Sequence, residues 1–323
     1  MLLPQLLPLY RTMQLIRAFE EAAGQAFRDG RIRGPVHQYV GQEAIAVGVC
    51  AHLRPTDYIS SYHRGHGHAI AKGAGIGRMM RELLGREGGT CGGKGGSMHI
   101  ADFSVGMLGA NGVVADGVTI AVGAAQAVKL LREDRVVVAF FGDGAVNRGP
   151  LLEAFNWAMI YRLPVLFVCE DNQYAATVRT SEFTAGEGII ARARSFGIPC
   201  ESIDGNDVAV VSSVSGKFIE RIRKGEGPAL IHAVAYRWYG HFAHDAGAYR
   251  DPEAHRKALE GDPLERCRRE LSSKGSSPSD LDRIRMEMEE KVMLALREAE
   301  AAPLPAPETA FTEIQDLDAV WLR

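Results

Sequence analysis

The sequence of 323 residues lacks several features that would each define a class of protein. Its five cysteines are odd in number and form no CxxC pair, which argues against a disulfide framework or a cysteine-ligated zinc site and favours reduced thiols in a cytoplasmic protein. No apolar run reaches the roughly 20 residues that a membrane span needs. The Leu-rich start is interrupted by Pro4 and Pro8 and has no basic lead, so a signal peptide is not expected. The formal net charge of −3 gives no reason to expect nucleic acid or a membrane surface as a partner.

Glycine is what the sequence has in excess. The 36 glycines are not periodic, which excludes collagen, and they cluster in a few places such as residues 85–96. Because glycine lets a backbone approach a bound group closely, such clusters indicate ligand loops lined by main chain. Hydrophobic residues make up 46% and charged residues 24%, which is typical of a globular protein.

Hydrophobic patterning predicts an α/β fold. Continuous apolar runs at 136–141 and 165–169 predict strands buried on both faces, and the helical pattern at 150–161 makes a right-handed crossover between parallel strands. We expect one domain over residues 1–323, an open and mainly parallel sheet with helices on both faces, a helical extension at 252–302 and a tail at 303–323. Further helices are predicted at 9–28, 41–53, 76–84, 117–132, 188–196, 207–223 and 278–301, and further strands at 57–60, 200–203 and 229–236.

Polar residues follow the two clearest strands. Asp143 and Asn172 come just after them, and the carboxyl ends of parallel strands form the edge where ligands bind. Carboxylate and amide oxygens suit Mg²⁺, while Gly142 and Gly144 would let phosphate oxygens approach the backbone. A helix starting near Gly149 would add a positive dipole end. These residues predict a magnesium-bridged diphosphate site; the alternative is a tight Gly-Asp-Gly turn with an asparagine cap.

The other glycine motifs do not match known nucleotide loops. No GxGxxG follows a predicted strand, and Gly93-Lys94 is followed by Gly95 rather than Ser or Thr and is preceded by no apolar strand. We therefore interpret residues 85–96 as a wall of an active site or a contact between subunits.

The spacing of Gly142-Asp143-Gly144 and Asn172 resembles the thiamine diphosphate signature. Together with neighbouring segments, it resembles the alpha subunit of the decarboxylating component of 2-oxo acid dehydrogenase complexes, over roughly residues 8–300. Segments 63–68 and 107–112 are most similar to the acetoin and pyruvate dehydrogenase branch. The segments that carry the family resemblance are 93–99, 142–145, 153–156 and 249–250.

The resemblance implies a role for each matching residue. The Mg²⁺ ligands would be Asp143, Asn172 and the backbone carbonyl of Tyr174, and Arg64 would pair with the diphosphate, for which a guanidinium is well shaped. The catalytic residues would be His37, His63 and His241. The cofactor-binding residues would be Arg64, Gly112, Val114, Gly142, Asp143, Gly144, Ala145, Asn172, Tyr174 and His241.

The resemblance also implies a reaction and partners. Thiamine diphosphate and Mg²⁺ would be the cofactors of an oxidoreductase that cleaves the carbon–carbon bond beside a carbonyl, with pyruvate or acetoin as the small-molecule substrate. The acyl unit would pass to the lipoyl group of an acyltransferase partner. A beta subunit would supply the activating glutamate in a heterotetramer. Two alternatives stay open: a split two-carbon transferase similar to transketolase, and a non-catalytic diphosphate-binding subunit.

Some positions depart from the family pattern. Arg148 stands where relatives usually have Gln, Asp171 where they often have Asn, and the segment 115–119 replaces a Gly- and Pro-containing pattern. Phe242 occupies the place of a phosphorylatable serine in mitochondrial relatives, so kinase control at that position is not expected.

The remaining histidines have several interpretations. His63, His66 and His68 could sit in a solvated loop, serve an anion beside an arginine, or form a metal cluster. His99 and His232 are interpreted as structural, and His244 has no assigned role.

Overall fold

The computed structural model describes residues 1–312 of the chain. Its centre is a six-stranded sheet with the spatial order β2-β1-β3-β4-β8-β7, in which every neighbouring pair is parallel. A short antiparallel hairpin, β5–β6, stands apart from it. The strands are β1 (Tyr58–Ser60), β2 (Met107–Gly109), β3 (Val137–Gly142), β4 (Val165–Asp171), β5 (Tyr174–Ala175), β6 (Val178–Arg179), β7 (Cys200–Asp204) and β8 (Ala229–Val234).

Helices cover both faces of the sheet, as the sequence predicted. Three of them, α5, α6 and α8, share one apolar core with the sheet, and most of the others contribute to the core on the opposite face. Among residues 1–312 no helix is both long and apolar enough to cross a bilayer. The helices are α1 (Leu3–Arg28), α2 (Glu43–Cys50), α3 (His66–Lys72), α4 (Ile76–Leu83), α5 (Asp116–Leu130), α6 (Gly149–Ile160), α7 (Thr180–Phe183), α8 (Gly188–Ser195), α9 (Val208–Arg223), α10 (Pro252–Leu259), α11 (Pro263–Ser273) and α12 (Pro278–Ala301).

Strand β3 shows why its sequence is continuously apolar. Val138 and Phe140 point into one core, whereas Val137, Ala139 and Phe141 point into the other, and all five are buried. Side chains alternate along a strand, so a strand covered on both faces needs apolar residues at every position. The predicted strands at 136–141 and 165–169 are confirmed within one or two residues.

Three helical segments differ from the sequence prediction, one of them the short α7, which was not predicted. Helix α1 begins at Leu3 rather than near residue 9, because Pro4 lies in the first turn, where its missing N–H has no helical acceptor anyway. Helix α3 was not predicted at all, since its sequence begins with histidines and glycine. Its polar residues His66 and His68 are fully buried and bonded to distant partners.

The carboxyl-terminal part is helical, as expected. Helices α10 to α12 occupy most of residues 252–301, and α12 packs along α1. Residues 307–311 form a short 3-10 turn within the predicted tail, and the part of that tail at 313–323 lies outside the described residues.

The glycine-rich loop at 85–96 encloses a carboxylate of the chain itself. Glu82 is fully buried at the end of α4, and its two oxygens accept backbone N–H bonds from Cys91, Gly93, Gly95 and Gly96 at 2.7–3.1 Å. Glycines allow the main chain to wrap this tightly. The loop is therefore organised around an internal anion.

Replacing Glu82 with glutamine is expected to destabilise this loop by about 3 kcal/mol, because charge-assisted bonds contribute about 1.5–3 kcal/mol each and a glutamine NH₂ would face N–H donors. Urea unfolding and hydrogen exchange at the four bonded amides measure the effect. Glu87→Gln, an exposed glutamate in the same loop, is the matched control and should change neither quantity. Unaltered exchange in Glu82→Gln would contradict the assignment.

Candidate active site

A cavity of about 310 Å³ lies at the carboxyl edge of the sheet. All strands of the sheet run in one direction, so the segments that follow them meet at this edge. Residues after β1, β2, β3, β4 and β8 all contribute to its wall. The lining side chains and backbone belong to His37, Tyr62, His63, Arg64, Met98, Gly112, Val114, Ala115, Phe141, Gly142, Asp143, Gly144, Ala145, Asn172, Tyr174, Ala175, Ala176, Arg237 and His241.

Every residue that the sequence analysis selected for the site lines this cavity. They arrive from separate places: His37 from the loop between α1 and α2, Arg64 from the turn after β1, and His241 from the loop after β8. Their assembly follows from the parallel topology rather than from nearness in the chain.

One corner of the cavity carries three hard oxygen donors. Asp143 is 2% exposed and Asn172 is 3% exposed. Gln42 Oε1 accepts a bond from Asn172 Nδ2 at 3.1 Å, which fixes the amide plane. The Tyr174 backbone N–H donates to Asn172 Oδ1 at 3.4 Å, bringing the Tyr174 carbonyl to the same region. A carboxylate, an amide oxygen and a carbonyl are ligands that Mg²⁺ accepts, so the donor set fits the ion.

Burial raises the pKa of Asp143 to about 6, and the neighbouring charge of Asp171 acts in the same direction. The hydroxyl of Thr180 donates a hydrogen bond to Asp143 Oδ2 and partly offsets the rise. A buried carboxylate of this kind is stabilised by a cation.

Arg64 is a fully buried cation that also lines the cavity. It donates to the carbonyl oxygens of Gln38 at 2.9 Å and His241 at 2.7 Å. Burial and the nearby Arg237 lower its pKa to about 10, so it stays charged at neutral pH. Its buried Nε has no hydrogen-bond partner among residues 1–312. An unsatisfied guanidinium N–H beside a cavity fits an anionic ligand such as a diphosphate.

Arg237 is a second buried cation, 1% exposed, that the sequence analysis did not select. Its guanidinium donates to the carbonyls of Tyr174 at 3.3 Å and Ala176 at 2.8 Å and to the Tyr249 hydroxyl at 2.7 Å. It follows β8 just as Asp143 follows β3, so the rule that selected Asp143 could have found it.

Three imidazoles line the cavity beside Arg64. The ring centroids of His37 lie 4.7 Å from His63 and 5.0 Å from His241. Burial, followed by the charge of Arg64, lowers the pKa of His37 to about 3 and that of His241 to about 4, and lowers the pKa of His63 well below its usual value. All three are neutral at pH 7, and each can donate or accept a proton.

The nitrogens of these three histidines are close enough to surround an ion, all within 4.8 Å of one another. Arg64 Nη2, however, lies 3.3 Å from His241 Nδ1 and opposes a cation there. The buried Nδ1 of His37 has no partner among the residues that the structure describes. The cluster therefore suits a neutral or anionic polar ligand.

The metal cluster considered for the three histidines of 63–68 does not form. His66 Nδ1 lies 3.1 Å from both carboxylate oxygens of Glu20, and His68 Nε2 lies 3.1 Å from Glu170 Oε1. Only His63 of the three lines the cavity.

Beneath the cavity, Glu170 is the centre of a buried polar network. Tyr62 OH donates to its carboxylate at 2.6 Å, and Tyr39 OH and His68 also bond to it. Burial raises the pKa of both phenols, which keeps them protonated as donors. This network supports Tyr62, a lining residue that the sequence analysis missed because its partners lie far away in the chain.

The other histidines have structural partners. His232 lies between Asp171 Oδ2 and Ser202 Oγ, at 3.0 Å from each. His99 bonds to the Gly95 carbonyl at 3.1 Å. These contacts agree with the structural interpretation of both residues.

Comparison with known proteins identifies the class of this site. Residues 11–308 match the family of dehydrogenase E1 components. The chain therefore belongs to this family of oxidoreductase components, as the sequence motifs predicted, and membership implies thiamine diphosphate as the cofactor.

Three individual relatives are similar to the chain over most of its length. The chain is 44% identical, over 96% of its length and 93% of the relative's, to the alpha subunit of acetoin:2,6-dichlorophenolindophenol oxidoreductase of Cupriavidus necator. It is 41% identical to the subunit of the same name from Bacillus subtilis, over 95% and 92% of the two chains. The pyruvate dehydrogenase E1 component subunit alpha of Rhizobium meliloti is 38% identical, over 94% and 88%.

Asp143→Asn is expected to stabilise the chain in the absence of metal and cofactor. Because the folded pKa of about 6 lies above the ordinary value of 3.8, the ionised carboxylate costs stability, about 3 kcal/mol at pH 7.5. This cost grows between pH 4 and pH 6 and is constant above that range. Urea unfolding at pH 7.5 and pH 5 measures it.

The increase in folding stability caused by Asp143→Asn should become smaller as the pH falls toward 4. The control is Asp134→Asn, an exposed aspartate, which should change stability by less than about 1 kcal/mol. A variant less stable than the wild type at pH 7.5 would show that the buried charge is already compensated.

Proposed function

We propose that the chain is the alpha subunit of a thiamine diphosphate-dependent dehydrogenase acting on acetoin or pyruvate. It would cleave the carbon–carbon bond beside the carbonyl and pass the acyl unit to a lipoyl group on an acyltransferase partner. The observation that carries this proposal is the single cavity lined by all twelve residues selected from the sequence. Two relatives support the choice of substrates, since one is named as the alpha subunit of an acetoin:2,6-dichlorophenolindophenol oxidoreductase and the other as the alpha subunit of a pyruvate dehydrogenase E1 component.

We assign the corner of the cavity that carries the three oxygen donors to Mg²⁺. Asp143, Asn172 and the carbonyl of Tyr174 would be its protein ligands, and water and diphosphate oxygens would complete an octahedron. The charged side chains that line the cavity are two buried arginines and one carboxylate, while the three imidazoles are neutral. A bound cation would raise the positive potential further, which favours a diphosphate anion.

The diphosphate and the rings of the cofactor would lie along separate walls. Arg64 would pair with the diphosphate, whose oxygens would approach the backbone of Gly142, Gly144 and Ala145. A Cβ at position 144 would lie 3.2 Å from the Cβ of Ala175, so a side chain there would have little room.

Gly112 and Val114 are assigned to the wall beneath the aminopyrimidine. A Cβ on Gly112 would make only ordinary contacts within the protein. Its lack of a side chain is therefore better explained by a ligand than by packing.

Bound thiamine diphosphate supplies the carbon nucleophile and the electron sink for the bond cleavage. His37, His63 and His241 would hold and transfer protons at the oxygen atoms of the substrate. Their depressed pKa values keep them neutral, so each presents one donor and one acceptor nitrogen. His241 is oriented by a bond from its backbone N–H to Asp245 Oδ2 at 2.6 Å.

An exposed apolar surface supports a beta-subunit partner. Helices α5 and α6 pack together and, with Leu131 just after α5, expose Ile120, Leu130, Trp157 and Ile160, each at least 44% accessible. Large apolar side chains exposed together on neighbouring helices are typical of protein interfaces. We propose that this surface contacts a second subunit in a heterotetramer, whose beta chain supplies the activating glutamate.

The proposal also covers the domain organisation of the chain and its cellular location. One domain would hold the diphosphate half of the site, with 252–302 as a helical extension. The five cysteines are free, which suits the reducing cytoplasm, where we place the enzyme.

Arg64→Lys is expected to weaken binding of thiamine diphosphate by about 1–3 kcal/mol, because a flexible point charge replaces a fixed fork of donors. Titration calorimetry at saturating Mg²⁺ measures the dissociation constant. The control is Arg148→Lys, an exposed arginine, which should bind like the wild type. An unchanged constant for Arg64→Lys would remove Arg64 from the diphosphate site.

Activity is expected only when the chain is combined with its beta subunit. The two chains are purified alone and together, and reduction of 2,6-dichlorophenolindophenol is followed with acetoin or with pyruvate. Turnover by the pair on one of these substrates supports the proposal. Full turnover by the isolated chain would place the activating glutamate within these 323 residues, and no turnover by the pair would favour a non-catalytic subunit.

A further inference from the structure

A short hairpin next to the cavity places one hydroxyl group beside Asp143. Strands β5 and β6 pair antiparallel, and Tyr174 and Ala175 of this hairpin line the cavity. Thr180 follows the hairpin directly as the first residue of α7. Its backbone N–H donates to the Gln173 carbonyl at 3.1 Å, which closes the hairpin and holds Thr180 over the end of β4.

The Thr180 hydroxyl lies between two carboxylates. It donates to Asp143 Oδ2 and lies 3.2 Å from Asp171 Oδ1. Among residues 1–312, Thr180 is the one side chain that hydrogen-bonds to the Asp143 carboxylate, and Asp143 is almost completely buried. This bond therefore helps to fix the rotation of that carboxylate.

The second carboxylate is held by other partners. Asp171 accepts a bond from the Gln173 backbone N–H at 3.1 Å, and its other oxygen lies 3.0 Å from His232 Nε2. Asp171 is therefore fixed on the far side of Thr180. Asp143 can use Oδ1 for a ligand, since its Oδ2 is engaged by the hydroxyl.

We propose that Thr180 is a positioning residue for the divalent cation. Its hydroxyl holds Asp143 so that one carboxylate oxygen, rather than both, is offered to the ion. The inference rests on the proposed function of the cavity, in which Asp143 is a metal ligand. Hydrogen bonds that orient a ligand are typically worth about 10–100-fold in metal affinity.

The number of carboxylate oxygens that Asp143 offers affects whether the site prefers Mg²⁺ or Ca²⁺. Mg²⁺ requires near-ideal octahedral geometry, whereas Ca²⁺ accepts carboxylates through one oxygen or two in a flexible shell. A carboxylate freed from Thr180 could rotate and present both oxygens. Loss of the hydroxyl therefore weakens Mg²⁺ binding more than Ca²⁺ binding, an effect that a general loss of stability would not produce.

The experiment compares Thr180→Val, Thr180→Ser and the wild type as full-length chains assembled with the beta subunit. Titration calorimetry gives the Mg²⁺ and Ca²⁺ dissociation constants at saturating thiamine diphosphate, and thermal unfolding is recorded for each variant. The matched control is Thr177→Val at the exposed tip of the same hairpin.

Thr180→Val should weaken Mg²⁺ binding about 10–100-fold and Ca²⁺ binding clearly less, while Thr180→Ser and Thr177→Val bind both ions like the wild type. If Thr180→Val does not fold, Thr180→Ala carries the same expectation. Wild-type Mg²⁺ affinity in the valine or alanine variant would overturn the inference, and so would an equal loss for both ions. A wild type that binds neither ion would instead overturn the proposed function.

Discussion

The buried guanidinium of Arg64 is the interaction on which the site depends. It joins three segments that are far apart in the sequence, since it follows β1 and donates to the carbonyls of Gln38 and His241. A buried cation is costly unless it is compensated, and carbonyl dipoles compensate it only in part. The same charge contributes to the low pKa of His37, His63 and His241. The arginine proposed to bind the diphosphate therefore also adds to the effect of burial that keeps the neighbouring imidazoles neutral.

The parts of the fold that could be predicted are those governed by local patterns. The apolar runs of β3 and β4 identify strands covered on both faces, and the right-handed crossover makes them parallel. Two short polar segments, each following one of these strands, then lead to Asp143 and Asn172. Helix α3 could not be found in this way, because His66 and His68 look like loop residues until Glu20 and Glu170 are known to face them.

Two of the site residues that sequence reasoning missed share one physical cause. Tyr62 and Thr180 act through partners at long sequence separation, and no periodicity reports such pairs. Arg237 is different, because its position after β8 could have identified it. The motif resemblance did find Gly112 and Val114, which no local pattern selects. Glycine density was a weaker guide: the loop at 85–96 suggested a wall or a subunit contact, and nothing in its sequence indicated that four of its backbone N–H groups bond to Glu82.

The network around Glu170 limits how this part of the chain can change in evolution. Tyr39 and His68 both bond to Oε1 of this buried carboxylate, and Tyr62 bonds to Oε2. Removing Tyr62 leaves Oε2 without a partner, at roughly 1–3 kcal/mol, and removing Tyr39 or His68 leaves Oε1 with one bond in place of two. Replacing several members together with apolar residues of similar shape carries a smaller penalty. Sequence drift beneath the cavity should therefore proceed by concerted replacement of several positions, so these residues form one inherited unit although they come from three distant segments.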